Sequence, residues 1–431
     1  MAGDSRRSIG YREAVSIGVG GMVGGGIFAV LGLAVQLARG GTPVAFAIAG
    51  LVALLTAYSY ARLSVAYPSQ GGTVSFLVRA FGTGIFSGGM NVLLWISYIV
   101  MLSLYAYAFG SYGATFLPAS FQPIGKHLLI TGSVILISGL NLLSAKAIGK
   151  AEDLIVGLKI SILLIFVGLG LWAVQPERLA PATWSPGLSL ISGGMIIFVA
   201  YEGFELIANT ARDVRNPRTT LPRAYYSAVV FVIALYVLVS VVAVGSLTLD
   251  QIAASRDYAL AEAARPFMGQ AGFSLIAVAA LLSTASAINA TLYGAARLSY
   301  IIAKDGELPE FLEQKIWNRP IEGLFITAGL TLIFANLSDL SSISTMGSAG
   351  FLLIFAAVNV ANVRLADDTE SIWQISALGA VACIGALFAL LWQTVATSPR
   401  QILVLFAMIG LAFAIEFAYR KLRPREIKFA E

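Results

Sequence analysis

Long uninterrupted apolar segments constrain the fold of this chain more than any other feature. About twelve of them approach the ~20 residues that a helix needs to cross about 30 Å of hydrocarbon. Of the 431 residues, 58% are hydrophobic and 12% are charged, whereas a soluble domain has about 25% charged residues. Lipid is therefore expected to surround most of the chain.

The backbone decides which kind of element spans the membrane. In lipid every N–H and C=O group must be hydrogen-bonded internally, so only helices and closed barrels span. Barrel strands alternate apolar and polar residues over about ten residues, and the continuous runs here do not. We predict an all-α polytopic membrane protein with twelve transmembrane helices. The predicted spans lie near residues 13–36, 43–67, 84–116, 127–145, 152–174, 188–210, 222–246, 267–302, 322–338, 341–363, 371–393 and 400–419.

Basic residues are concentrated at both termini and in alternate loops, such as 212–223 and 304–319. By the positive-inside rule these segments are cytoplasmic, which predicts a multi-pass protein of the cytoplasmic membrane with both termini inside. The net charge of +5 is thus interpreted as an orientation signal, and no nucleic-acid partner is expected. The first residues lack the pattern of a cleavable signal, so the first span is expected to be retained.

The polar residues argue against several classes of function. The chain has one cysteine, Cys383, and one histidine, His127, which excludes an intramolecular disulfide and disfavours a histidine-based metal site. It has no His-Glu-x-x-His motif and no serine–histidine arrangement typical of a hydrolase. We therefore expect no enzymatic activity, no cofactor and no metal. A channel or a sensor without transport remains an alternative.

The first span is rich in glycine, with six glycines in residues 16–28 and three of them consecutive, Gly24, Gly25 and Gly26. Each interior glycine costs a helix about 1 kcal/mol relative to alanine, so an unwound stretch is predicted here. Free N–H groups at the start of the next half-helix suit a carboxylate, and free carbonyls suit a cation. Close helix packing through Gly20 and Gly24 is the alternative explanation.

The sixth span has a second disturbance at residues 198–205, where Gly203 lies between Glu202 and Glu205. Charged residues at membrane depth usually face a cavity or a partner. A gate or a contact with a substrate amine is one interpretation, and hydrogen bonding of the carboxylates to free N–H groups of a broken helix is the other. Breaks five helices apart are what an inverted five-plus-five repeat predicts, with a site between the repeats.

Lys159 lies among apolar neighbours in the fifth span. A buried amine can lose and regain a proton near neutral pH, because desolvation disfavours its charged form, and it could couple protons to transport. The alternative is that its stem extends to the headgroups. We expect that second behaviour for Arg62, Arg297 and Glu416, which lie near predicted helix ends.

Several motifs in a fixed order resemble the amino acid–polyamine–organocation superfamily, and closely resemble archaeal broad-specificity proton-coupled amino acid transporters. The resemblance covers nearly the whole chain. Its motifs are Glu13-Ala-Val-Ser, Gly24-Gly-Gly-Ile-Phe28, Ala151-Glu152 with Lys159, Tyr201-Glu-Gly-Phe-Glu205, Asn216-Pro217 with Leu221-Pro-Arg-Ala224, Ser283, Ser286, Asn289-Ala-Thr-Leu-Tyr293 and Ala303-Lys-Asp-Gly-Glu-Leu-Pro-Glu-Phe311.

This resemblance implies the LeuT-type fold, with a 5+5 inverted repeat plus two peripheral helices and alternating access. The corresponding division is residues 1–175 for the N-terminal tail and first repeat, 185–365 for the second repeat, and 370–431 for the peripheral helices and tail. The implied function is proton-coupled symport of amino acids. The partners are then an amino acid, protons and the bilayer, and no obligatory protein partner is evident.

The resemblance also implies roles for individual residues. For proton coupling, Lys159 would take the place of a coupling sodium ion, beside the Gly20 carbonyl and Ser283, with Ser286 nearby. The other implied residues are Gly24, Gly25 and Gly26 for the substrate carboxylate, Val19, Gly20 and Phe198 for its amine, Phe198, Tyr201 and Phe204 for an aromatic lid, and Glu205 for a gate.

Glu202 departs from the pattern, because an apolar residue stands there in the archaeal relatives. Glu202 would be a further substrate-binding residue beside Tyr201. Its carboxylate, the second one near the site, could favour cationic amino acids or polyamines. Uptake selective for cationic substrates, or exchange of amino acids or polyamines, is therefore the alternative to symport. Transport of divalent metals is disfavoured because neither break has the expected metal ligands.

Overall fold

The structure is a computed structural model that describes residues 8–143, 145–304 and 321–422. Regular structure in these residues is helical, and the only strand-like pairings among them are two isolated β-bridges. The α-helices are α1 Tyr11–Met22, α2 Gly26–Ala38, α3 Thr42–Ala66, α4 Thr73–Phe81, α5 Ile85–Ala114, α6 Gln122–Leu143, α7 Ala145–Gly170, α8 Gly187–Ile196, α9 Pro217–Ser246, α10 Leu249–Ala254, α11 Ala259–Lys304, α12 Ile321–Leu337, α13 Leu340–Arg364, α14 Trp373–Thr397 and α15 Pro399–Leu422.

Nine helices in the described part of the chain are long and apolar enough to cross a membrane. Two bent pairs, α1 with α2 and α8 with the stretch that follows it, raise this number to as many as eleven. Helix α12 is a shorter apolar helix of 17 residues. The all-α polytopic class is thus confirmed, while the count of twelve and the inverted-repeat arrangement stay predictions.

Both predicted helix breaks are present. Helix α1 ends at Met22 and α2 begins at Gly26, with a bend of 46° between them. The sixth span has the same 46° bend after Ile196. There the chain continues as two 3₁₀ segments, Phe198–Tyr201 and Phe204–Asp213, a tighter helix that is uncommon over ten residues.

The candidate span Leu154–Ala173 agrees with the predicted fifth span, but its helix begins seven residues before the predicted start. Helix α7 begins at Ala145, whereas hydropathy placed the start at 152. Hydropathy detects where the chain enters lipid, and polar residues such as those at 146–153 also form helix. Lys159 consequently lies fourteen residues into α7, about 21 Å along its axis at 1.5 Å per residue.

Helix α5 is the central element of the bundle, and nearly all of its residues are buried. It packs against α11, α13, α15 and α6. Helices α14 and α15 expose many apolar side chains, including Phe388, Trp392 and Leu403, as expected for peripheral helices that contact lipid. Short helices α4 and α10 lie in the loops that precede α5 and α11.

A buried polar cluster joins α3, α13 and α14. Asn359 accepts a hydrogen bond from Ser59 at 2.7 Å and donates one to Thr56 at 3.0 Å. Ser59 also donates to Ser376 at 3.0 Å. The sulfur of Cys383 lies 3.4 Å from the Thr56 hydroxyl. Interhelical hydrogen bonds of this kind are worth about 0.6 kcal/mol each in membranes, so the cluster fixes α14 against the core.

Glu416 does not extend to the membrane surface as predicted. Its side chain is fully buried against Gly88 of α5 and forms an ion pair with Arg420 one turn later. Arg420 also donates to the Thr83 carbonyl at 2.6 Å. A nearby arginine makes burial of the carboxylate possible, and hydropathy alone cannot detect such a pair.

Candidate functional site

The first break leaves main-chain groups of the α1–α2 junction available for side chains. The Ser283 hydroxyl of α11 donates to the carbonyls of Gly24 at 2.7 Å and Val23 at 3.1 Å. The Val19 carbonyl accepts the N–H of Val23 at 2.8 Å. The first N–H groups of a helix have no acceptor within that helix, and at α2 these begin with Gly26. This end of α2 can therefore bind an anion.

The glycines of the first break lie close to their neighbours. A methyl group on Gly25 would come within 2.4 Å of the Tyr105 ring, and one on Gly26 within 2.8 Å of the Ala200 Cα. The first break thus packs directly against α5 and against the second break. The helix is broken here as predicted, and Gly25 and Gly26 also permit close approach of the neighbouring elements.

The second break is centred on Gly203, whose φ of 118° lies in the left-handed region. Its N–H donates to the Glu205 carboxylate at 2.7 Å. The Tyr98 hydroxyl donates to Glu205 and the Tyr105 hydroxyl to Glu202, each at 3.2 Å. The contact between Gly203 and Glu205 is a hydrogen bond from a free N–H group of a broken helix to a carboxylate, which was one of the two interpretations of these residues. The two tyrosine hydrogen bonds are additional to it.

Lys159 is buried, with 1% of its surface exposed. Its amine donates to the Gly20 carbonyl at 3.0 Å, the contact that the family resemblance implied. The alternative in which the stem extends to the headgroups is therefore wrong. Ser286 is also buried. An ammonium group carries three donors, so it can bind main-chain carbonyls where a helix is unwound.

The four residues expected to form the gate are all buried. Phe198 and Phe204 pack on Phe355 of α13, with ring centroids 5.9 and 5.2 Å apart. The Tyr201 hydroxyl donates to the Phe46 carbonyl of α3 at 2.8 Å. The aromatic side chains of the second break thus link it to α3 and α13.

Comparison with known proteins identifies the family. The model of a family described as amino acid permease matches residues 9–415. The chain belongs to this family. Inner membrane transport protein YbaT of Escherichia coli K12 is 31% identical over 421 residues, or 97% of each chain. This permease is accordingly a multi-pass membrane protein, as its apolar helices indicate.

Two further relatives span almost the whole permease. An uncharacterized protein of Methanocaldococcus jannaschii is 36% identical over 417 residues, covering 96% of this chain and 95% of that one. The branched-chain amino acid permease BcaP of Lactococcus lactis is 26% identical over 460 residues, covering 96% and 95%.

Tyrosines are the site residues of the permease that sequence reasoning missed. The Tyr236 hydroxyl of α9 donates to the Met22 carbonyl at 2.7 Å and lies 3.3 Å from the Ala200 carbonyl, so it contacts both breaks. In α5, Tyr98, Tyr105 and Tyr112 all donate to residues of the broken spans. Their spacing of seven residues places them on one helix face, a signal that was present in the sequence.

A second missed group is the Asp257 cluster, formed by Asp257, Lys126, Arg256 and Tyr107. Asp257 forms ion pairs with Lys126 at 2.9 Å and Arg256 at 3.1 Å, and it accepts a hydrogen bond from Tyr107 at 3.1 Å. The Lys126 amine also lies 3.7 Å from the centre of the Tyr107 ring. This cluster holds the 3₁₀ turn Arg256–Tyr258 against α5 and α6.

Replacing Tyr236 with phenylalanine is expected to weaken the link between the two breaks. The change deprives the Met22 and Ala200 carbonyls of a shared donor, and a buried acceptor left unsatisfied costs about 1–3 kcal/mol. The free energy of unfolding, measured by SDS titration in mixed micelles, should fall by this amount. Tyr293→Phe is the control, since Tyr293 is 55% exposed. Equal stability of both variants would contradict the bridging role of Tyr236.

Proposed function

We propose that this permease is a proton-coupled amino acid symporter in which Lys159 carries the proton. The observation that carries the proposal is the buried Lys159 amine on the Gly20 carbonyl, at the unwound end of α1. Burial favours loss of the proton from an ammonium group, because desolvation disfavours its charged form. When it is protonated, the amine binds the carbonyls of α1, and when it is neutral that contact is weaker.

Substrate binding is proposed at the same junction. The N–H groups of Gly24, Gly25 and Gly26 would bind the amino acid carboxylate at the positive end of α2. Carbonyls at Val19, Gly20 and Phe198 would accept its amine, with Tyr201 and Glu202 beside it. Because Lys159 also binds Gly20, protonation and substrate binding would bias the same conformational equilibrium.

Alternating access is proposed as the mechanism. Tyr201, Phe198, Phe204 and Glu205 would form the gate on the side of the second break, within a repeat at residues 185–365 that is inverted relative to the repeat at 1–175. Residues 370–431 would form the peripheral helices. Both termini would face the cytoplasm, as the distribution of basic loops indicates.

The test is uptake of radiolabelled alanine by proteoliposomes under an inward proton gradient. Lys159→Met removes the amine and keeps the length of the side chain. We expect gradient-driven uptake to fall at least tenfold, while counterflow of alanine between two equal pools continues. The loss follows because a side chain that cannot be protonated cannot link the gradient to the conformational change.

The matched control is Lys126→Met, since Lys126 is partly exposed and paired with Asp257 far along the chain from the α1–α2 junction. Wild-type gradient-driven uptake by Lys159→Met would show that another group carries the proton. Uptake by the wild type that requires sodium and ignores pH would overturn proton coupling itself.

Exchange or uptake of cationic substrates is the second candidate, and the buried carboxyl of Glu202 beside the first break favours it. A carboxylate in a site of this kind can pair with a second ammonium group on the substrate. Competition of unlabelled lysine, putrescine and leucine against labelled alanine separates the two candidates. Stronger inhibition by lysine or putrescine than by leucine supports the cationic alternative.

A further inference from the structure

The second break holds two carboxyl groups that are buried together. Glu202 is 3% and Glu205 is 1% exposed, and their side chains lie close enough to interact directly. An ionised carboxylate has acceptors only, so a hydrogen bond between two carboxyl groups requires a proton on one of them. Two buried carboxyl groups this close are therefore stabilised by one shared proton, which leaves the pair at most one negative charge.

The groups that surround this pair are neutral donors. Tyr98 and Tyr105 of α5 donate to one carboxyl group each. Tyr60 of α3 and Tyr225 of α9 lie near enough to Glu205, and Tyr236 of α9 near enough to Glu202, to interact electrostatically. Neutral phenols can stabilise the single negative charge of the pair but cannot replace its proton.

No ion pair of the described residues includes Glu202 or Glu205. Those ion pairs involve Asp257, Glu262 and Glu416. Lys159 donates to the Gly20 carbonyl of α1. Two adjacent carboxylates without a cation cannot both remain ionised at low dielectric.

A narrow cleft lies next to Tyr98, between the second 3₁₀ segment and the start of α4. Tyr98, the donor to Glu205, lines this cleft together with Leu206 and Asn209 of the second 3₁₀ segment. Its other lining residues include Gly71 and Thr73 at the start of α4. A water molecule in this cleft would lie beside Tyr98, and hydrogen-bonded hydroxyls can pass a proton onward.

We propose that Glu202 and Glu205 form a second proton-binding site, distinct from Lys159, that holds one shared proton and exchanges it with solvent through the cleft at Tyr98. An ammonium group that reached the pair would take the place of this proton, which would leave through the cleft. A substrate with one ammonium group at the first break would leave the proton in place.

The direct test is infrared spectroscopy of the purified, unliganded permease in lipid nanodiscs at neutral pH. The wild type is expected to show the carbonyl-stretching band of a protonated carboxylic acid. This band should disappear in Glu202→Gln and in Glu205→Gln, because the glutamine amide donates the hydrogen bond that the shared proton supplied. The two variants conserve shape, and each leaves one carboxylate.

Glu416→Gln is the matched control, since Glu416 is equally buried but paired with Arg420, so the band should persist in it. Absence of the band from the wild type would overturn the shared proton. Loss of the band in Glu416→Gln with retention in the other two variants would do the same. A band that does not shift within minutes of transfer to D₂O would refute access through the cleft.

Failure here is distinguishable from failure of the symport proposal. The infrared band requires no transport, so it is expected in Lys159→Met as well as in the wild type. Measuring the number of protons released when a substrate binds then relates the Glu202–Glu205 pair to substrate binding. With a pH-sensitive dye and detergent-solubilised permease, lysine binding should release more protons than alanine binding in the wild type. The two amino acids should release equal numbers in Glu202→Gln, and an unchanged difference would refute displacement by an ammonium group.

Discussion

Gly203→Ala is expected to lower the free energy of unfolding by about 3 kcal/mol or more. Gly203 has a φ of 118°, and a non-glycine residue in a sparsely populated backbone region costs about 1–3 kcal/mol. A methyl group there would also lie 2.4 Å from the Gly21 carbonyl carbon and 2.6 Å from the Met22 nitrogen. Both are main-chain atoms of α1, so no side-chain rotation relieves the clash. SDS titration in mixed micelles measures the effect.

Gly82→Ala separates the two causes. Gly82 also has a positive φ, of 74°, but nothing lies within 4 Å of an added methyl group. This variant should therefore lose only the backbone contribution of about 1–3 kcal/mol. If Gly203→Ala were no less stable than Gly82→Ala, the close packing of the two breaks would be refuted.

Gly32→Ala is expected to separate α2 from the turn that carries the Asp257 cluster. An added methyl group would lie 2.2 Å from the Arg256 carbonyl oxygen and 2.9 Å from its carbonyl carbon and Cα. The main chain of one element must move, at a cost of about 1–3 kcal/mol or more. Displacement of the turn exposes Arg256, so the initial rate of tryptic cleavage after Arg256 should rise at least fivefold. This increase corresponds to a decrease of about 1 kcal/mol in the free energy of local opening.

The matched control for this change is Gly168→Ala. Gly168 is also a helical glycine, in α7, and an added methyl group there meets nothing within 4 Å. Its substitution removes a glycine from a helix, which favours the helix by about 1 kcal/mol. Cleavage after Arg256 should be unchanged in this variant, and equal acceleration in both would show that the contact at Gly32 does not hold the turn.

The sequence was informative where a physical signal is local. Hydropathy located the apolar helices, because each segment must match the thickness of the bilayer. The three consecutive glycines at Gly24 located the first break, and Gly203 between two carboxylates located the second. Lys159 was recognisable because a lysine amid apolar neighbours needs a special partner, which is the Gly20 carbonyl.

Features that depend on what lies opposite a side chain were not predictable. A tyrosine in an apolar helix has no distinctive pattern of its own, so the contact of Tyr236 with both breaks could not be inferred. The proximity of the Glu202 and Glu205 carboxyl groups depends on the fold of the 3₁₀ segments around Gly203. Burial of Glu416 likewise depends on Arg420, and a residue near a helix end is otherwise expected to extend to the headgroups.

The polar cluster of α3, α13 and α14 makes this molecule convenient for distance spectroscopy. Cys383 is the single cysteine of the chain, and it is fully buried with its sulfur bound to Thr56 and Asn359. Thiol reagents modify accessible thiolates and spare buried thiols. Pairs of cysteines introduced at exposed positions on α4 and on α10 can therefore carry spin labels or fluorophores without removal of the native residue.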